Sequence, residues 1–199
     1  LSQGSWFPVE FSRTVNLPMG GFNEIRLIKT LLDQGYGVIA PRATLRIGWT
    51  TNLPLPEYTS TSDYRVLKDV IQKIQKGFFG KTNPQQIYAA GISSGGYNTS
   101  RLTLAFPRVF KAIAIQSASY ATCLGPICKM PASLPASHAP TLLLHGERDL
   151  IVGIGTARQY YELLQDQGIE SEMVVDPDVG HGWLDEAPER ILQWFEAHR

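Results

Sequence analysis

The chain has 199 residues, 43% hydrophobic and 18% charged, with a formal net charge of zero. That balance suits a single domain spanning residues 1–199 that buries its own core, and it excludes a disordered chain. With no run of Lys or Arg, nothing offers the basic face a nucleic-acid partner needs, and no apolar stretch nears the roughly eighteen residues of a membrane span.

No basic-plus-apolar leader opens the chain, and its first residue is Leu1, which reads as the start of a processed chain. Val15 to Leu17 reads as a short strand and Pro18-Met19-Gly20-Gly21 as a turn. The N-terminal strands look short, as if a piece were missing. Ile25, Leu27, Ile28, Leu31 and Leu32 then recur at helical spacing, with Asn23 as N-cap and Gly35 as stop. Tyr36 to Ala40 reads as a buried strand closed by Pro41.

A long loop rich in Thr, Pro and Gly runs from Arg42 to about Thr61. Thr61 or Ser62 caps a helix through Gln75, with Leu67, Val70, Ile71 and Ile74 on one face. A strand over Gln86–Ala90 leads into a glycine-rich turn, Gly91 to Gly96, and a helix from about Gly95 to Phe106. Strands follow at Lys111–Gln116, Thr141–His145 and Ser171–Asp176. Helices cover Thr156–Gln167 and about Asp185–His198. Strands alternating with helices predict a mostly parallel sheet with helices on both faces. Functional groups then belong in the loops beyond the carboxyl ends of the strands.

The richest segment is Gly91-Ile92-Ser93-Ser94-Gly95-Gly96, a GxSxG string after a predicted strand and before a predicted helix. A serine hydroxyl is a weak nucleophile until it is exposed beside a base. A sharp strand-to-helix turn exposes it, and its neighbours must lack side chains. Ser93 is the candidate nucleophile, because it alone has Gly at both minus two and plus two; Ser94 is the local rival. The helix N-terminus favours a developing oxyanion, for which the Ser94 amide is one donor.

Of the four histidines, His181 lies in Gly180-His181-Gly182 after the last strand, where flanking glycines let an imidazole reach a cleft. It is the candidate base. His138, His145 and His198 read as a loop, a buried strand end and a frayed helix end. Asp149, in the loop after Thr141–His145, is the candidate acid that orients the imidazole. Glu147, Asp176 and Asp178 are its rivals, and a surface pairing with Arg148 is the plainer reading.

Cys123 and Cys128 enclose Leu-Gly-Pro-Ile, a turn-forming segment short enough to close a disulfide. Such a bridge implies an oxidising compartment; the alternative is two free thiols in the cytosol. Two thiols without a nearby His are too few for a metal. Tyr97 and Trp183 lie close in sequence to candidate residues and Trp49 lies in the long loop after a strand; the three are the candidate substrate contacts, with ordinary packing the equal alternative.

The elbow, Leu-His-Gly-x-x-Asp after a strand and Gly-His-Gly before the last helix stand in the order Ser93, Asp149, His181. In this the chain resembles the α/β-hydrolase superfamily over about residues 23–199. Within it, the chain looks similar to the dienelactone hydrolase and polyester depolymerase-like group. Gly-Ile-Ser-Ser-Gly-Gly-Tyr and Ala-Ser-Tyr-Ala-Thr-Cys-Leu-Gly-Pro-Ile-Cys also look similar to secreted hydrolases of oxidised polyvinyl alcohol.

The resemblance implies a serine hydrolase that cleaves carboxylic esters through an acyl-enzyme, with no cofactor and no large lid. It also implies a polymeric substrate, and export to the periplasm or beyond. A carbon–carbon hydrolase of β-diketone units and an inactive binding domain are the alternatives. One departure stands out. The family carries His-Gly in its second oxyanion loop, whereas Leu17-Pro18-Met19-Gly20-Gly21 stands here. Met19 or Gly20 is then the second donor.

Overall fold

The structure is a computed structural model that describes residues 1–4, 21–51 and 57–199. The expected strand at Val15–Leu17 and the donors Met19 and Gly20 lie outside the described residues. Four parallel strands, β1 (Ile87–Ile92), β2 (Phe110–Gln116), β3 (Thr141–Gly146) and β4 (Ser171–Asp176), lie in the order β1-β2-β3-β4. Five helices surround them: α1 (Gly21–Asp33), α2 (Ser62–Gln75), α3 (Ser94–Ala105), α4 (Ile154–Asp166) and α5 (Ala187–Ala197).

Alternation along each strand sorts the core into two layers. Ala89, Ile113, Ile115 and Leu143 face Leu67 and Ile71 of α2, Leu102 of α3, and Tyr160 and Leu164 of α4. Ala90, Ala112, Ala114, Leu142 and Leu144 face Leu27 and Leu31 of α1, and Ile191, Trp194 and Phe195 of α5. Helices therefore cover both faces, and β1 to β3 read as largely apolar runs because both their sides are buried, whereas the edge strand β4 is half-exposed. Among the described residues, no helix is long and apolar enough to cross a membrane.

Thr61 caps α2, its hydroxyl accepting from the Tyr64 amide at 3.1 Å. Asn23, expected as an N-cap, instead lies inside α1. Its amide donates to the Trp183 carbonyl at 3.4 Å, so a long-range contact outranks the local cap. The apolar run Tyr36–Ala40 is not a strand. The place beside β1 is taken by Ser2, which pairs in parallel with Gly91, and Ile39 receives a hydrogen bond from the Leu1 amino group. Pro41 then ends the run before a ladder can form.

The described start of the long loop after it is held in part by Asp63. The Asp63 carboxylate, fully buried at the start of α2, accepts from the amides and hydroxyls of both Thr44 and Thr50. Burial works to raise its pKa, but these four bonds outweigh that and hold it below the ordinary carboxylate value. Cys123 and Cys128 are joined in a disulfide.

Candidate active site

The candidate residues gather at the carboxyl ends of successive strands. Ser93 follows β1, Asp149 follows β3 and His181 follows β4. Ser93 sits at φ 54° and ψ −123°, a conformation that L residues rarely adopt, between the end of β1 and the first turn of α3. Its amide donates to the Gln116 carbonyl at 2.9 Å, which pins the turn to β2. A Cβ on Gly91 would stand 2.3 Å from the Gly95 carbonyl oxygen, and one on Gly95 would stand 2.0 Å from that of Ser2. Both flanking positions therefore require glycine, for close approach rather than for φ.

The rival hydroxyl is engaged elsewhere: Ser94 Oγ accepts from the Trp49 amide at 2.8 Å. The Ser94 amide lies at the first position of α3, where no intrahelical acceptor exists. The described backbone nearest the elbow is Ser2–Gln3, whose carbonyl oxygens approach Gly95.

The imidazole and carboxylate meet directly. His181 Nδ1 lies 2.7 Å from Asp149 Oδ2, with the two side chains 3% and 0% exposed. The other carboxylate oxygen accepts from the amides of Ile151 and Val152 at 2.9 and 2.8 Å. His145 Nε2 lies 3.4 Å from Oδ2 and 2.7 Å from the Val152 carbonyl; a carbonyl only accepts, so that nitrogen carries the proton. Burial works to raise the Asp149 pKa. Hydrogen bonds from His145, from His181 and from the Val152 amide outweigh it and hold the carboxyl well below the ordinary range.

An ionised carboxylate accepts only, so His181 donates from Nδ1 and leaves a lone pair on Nε2. That Nε2 is buried and has no hydrogen-bond partner among the described residues. The other histidines are committed: His138 to Ala139 and Tyr160, and His198 to Trp194 and Glu170. The rival acids are committed too. Glu147 pairs with Arg158, Asp178 with Arg148, and Asp176 accepts from the Asp178 amide.

The glycine of Leu-His-Gly-x-x-Asp has a steric reason. A Cβ on Gly146 would stand 2.3 Å from the Val179 carbonyl oxygen and 2.5 Å from that of Gly180. The loops bearing Asp149 and His181 thus approach backbone to backbone, tied by Arg148 N–H to Val179 at 3.0 Å. Gly146→Ala is expected to destabilise the fold by about 2–3 kcal/mol and to separate the two loops. Urea denaturation alongside ester turnover checks it.

A device that motif reading missed ties Ser93 to His181. Gln116 and Ser117, fully buried at the end of β2, hold both loops. Gln116 accepts from the Ser93 amide through its carbonyl and from the Leu184 amide through its side chain at 3.2 Å. Ser117, at φ 48°, donates its hydroxyl to the Gly182 carbonyl at 3.0 Å and accepts from the Gln116 side chain. The one trace in the sequence is polar Gln-Ser directly after the apolar run Ala112–Ile115. Ser117→Ala leaves Gly182 and Gln116 short of a partner. It is expected to lower kcat about tenfold with KM nearly unchanged, because it misplaces the candidate base rather than the substrate. Steady-state kinetics on a soluble ester would show it.

The three aromatic candidates are all buried. Tyr97 is 2% exposed and its hydroxyl accepts from the Gly125 amide; Trp49 donates its indole N–H to the Gln3 carbonyl; Trp183 packs among the α1 and α5 side chains. A cavity of about 660 Å³ opens at the outer edge of β1, and Ser93, Asp149 and His181 do not line it. Among the described residues, no cluster of three His, Cys, Asp or Glu side chains is placed to hold a metal ion.

Solved structures first define the class. The chain superposes on MGS-M1, an α/β hydrolase enzyme from a Medee basin deep-sea metagenome library. The TM-score is 0.69 at 15% identity, covering 98% of this chain and 82% of that one. It also superposes on esterase PE8, with a TM-score of 0.64 at 18% identity, covering 89% and 86%. At such identities the likeness establishes the fold, which is that of the α/β hydrolases. A sequence model of the prolyl oligopeptidase family matches residues 128–198.

The particular family follows from a nearer relative. Poly(3-hydroxyoctanoate) depolymerase of Pseudomonas fluorescens is 49% identical over 199 residues, covering 98% of this chain and 72% of that protein. The chain belongs to the polyester-depolymerase-like serine hydrolases of the α/β-hydrolase superfamily, enzymes that cleave esters.

Proposed function

We propose that Ser93, His181 and Asp149 form the catalytic triad of an extracellular hydrolase acting on a water-insoluble polyester of 3-hydroxyalkanoate units. The observation that carries this is the 2.7 Å bond between His181 Nδ1 and Asp149 Oδ2, which leaves Nε2 as a buried base without a partner. Ser93, on its strained turn, loses its proton to Nε2 and attacks the ester carbonyl. The tetrahedral oxyanion faces the Ser94 amide at the α3 N-terminus, with a second donor from a neighbouring loop. His181 then protonates the leaving alkoxide. Water, deprotonated by the same nitrogen, frees the hydroxy acid.

The substrate class comes from the 49% identical relative, whose name specifies 3-hydroxyoctanoate units. The disulfide supports a location in an oxidising compartment, as expected of an enzyme whose substrate cannot enter a cell. The test is a panel of poly(3-hydroxyoctanoate) latex, short and long p-nitrophenyl esters and a β-diketone, compared as kcat/KM or clearing rate. Clearing of the latex with little diketone cleavage supports the reading. A diketone preference would replace it with carbon–carbon hydrolysis, and no turnover with no fluorophosphonate labelling would leave a binding domain.

A further inference from the structure

We propose that the disulfide-closed hairpin Cys123–Cys128, together with Leu150, forms an apolar platform beside the active site that seats the enzyme on the surface of a solid aliphatic polyester. This rests on the substrate reading above and adds where the polymer is gripped. The hairpin is a rigid unit. Leu124 and Ile127 exchange both backbone hydrogen bonds, at 2.7 and 3.1 Å, and the flanking cysteines are covalently joined. Residues directly opposed in an antiparallel pair project to the same face. Leu124 and Ile127 do so at 50% and 75% exposure.

The unit is fastened to the active site. Its tip amide, Gly125 N–H, donates at 3.1 Å to the Tyr97 hydroxyl, and Tyr97 stands one helical turn beyond Ser93. A Cβ on Gly125 would lie 3.6 Å from the Ile151 carbonyl oxygen, so the hairpin abuts the loop that carries Asp149. On that loop Leu150 is 97% exposed and Ile151 56%. Four large aliphatic side chains therefore face water on two touching loops, one held by Tyr97 of α3 and the other carrying Asp149.

Charge decides what such a surface fits. Over residues 117–139 the one Asp, Glu, Lys or Arg is Lys129, and over 149–155 it is the buried Asp149. A neutral aliphatic surface has no complement for a nucleic acid or an anionic membrane, and exposed apolar patches of this kind mark interaction sites. A polyester of 3-hydroxyoctanoate units presents pentyl side chains, which are neutral, aliphatic and insoluble. Binding to a solid needs an apolar contact of this kind in addition to the site that takes one ester.

Adsorption to poly(3-hydroxyoctanoate) latex tests this with Leu124→Ser/Ile127→Ser/Leu150→Ser made in the Ser93→Ala background, so that binding is read without turnover. The single change Leu150→Ser, at a nearly fully exposed side chain, guards against misfolding. The triple variant is expected to adsorb at least tenfold more weakly and Leu150→Ser severalfold. With Ser93 restored, kcat/KM on p-nitrophenyl acetate is expected within twofold of the parent. Unchanged adsorption in both variants overturns the proposal, and so does an equal loss on the soluble ester. Equally strong adsorption of the parent to neutral phosphatidylcholine vesicles, lost in the triple variant, assigns the platform to a membrane and also overturns it. If the parent adsorbs through the platform yet leaves the latex uncleaved, the substrate reading fails while the platform stands.

Discussion

Ser93→Ala is expected to lower kcat/KM on p-nitrophenyl acetate by about 10⁴-fold or more while leaving the fold intact. The side chain is small and buried, the Ser93 amide keeps its bond to Gln116, and Ala accepts the strained turn no worse than Ser. What vanishes is the oxygen proposed to form the acyl-enzyme. The remaining acceleration comes from the oxyanion donors and binding, which sustain about 10³–10⁴-fold over water in enzymes of this type. An activity within tenfold of the parent would mean that another group attacks the ester. Ser94 is the poorest replacement, because its hydroxyl already holds the Trp49 amide.

Asp149→Asn is expected to cost about 10³–10⁴-fold in kcat with little change in KM. Its two oxygens accept from His181 and from the amides of Ile151 and Val152, with His145 Nε2 3.4 Å from Oδ2. An amide replaces one acceptor by a donor. If the nitrogen faces His181, the ring must present an unprotonated Nδ1, and Nε2 then carries the proton and ceases to be a base. The same change reports on stability. Because the folded-state pKa of Asp149 is depressed below its ordinary 3.8, the carboxylate stabilises the fold above that pH. That contribution is lost as pH falls through the lower, folded-state value. The deficit of Asp149→Asn in urea denaturation should therefore be full at pH 7 and shrink in strong acid.

Much of this was legible in the sequence because close packing leaves marks in residue type. Gly91, Gly95 and Gly146 stand where a Cβ would strike backbone within 2.0–2.3 Å, so no other residue fits. The buried strands Phe110–Gln116 and Thr141–Gly146 announce themselves as apolar runs because both faces are covered. Long-range pairing was not legible. Tyr36–Ala40 has the composition of a strand, yet Ser2 occupies the edge beside β1. Asn23 looks like a cap, yet it serves Trp183, 160 residues away.

Polar residues that work through backbone groups were also hidden. Asp63 clamps the loop that carries Trp49, and Gln116 with Ser117 holds the loops of Ser93 and His181 together. None belongs to a short motif, because many of their partners are backbone amides and carbonyls, which any residue type supplies. The candidate substrate contacts Trp49, Tyr97 and Trp183 are buried. Large apolar side chains left in water include Leu124 and Ile127 of the hairpin and Leu150 and Ile151 after Asp149, beside others such as Ile47, Phe78 and Phe79 elsewhere on the surface.

The most direct test is to find which atom a fluorophosphonate modifies, by digestion and mass spectrometry of the labelled protein. One adduct, on Ser93, with labelling slowed at least a hundredfold in His181→Ala, is the expected result. An adduct on Ser94 or another residue, or undiminished labelling without the imidazole, would contradict a triad built from Ser93, His181 and Asp149.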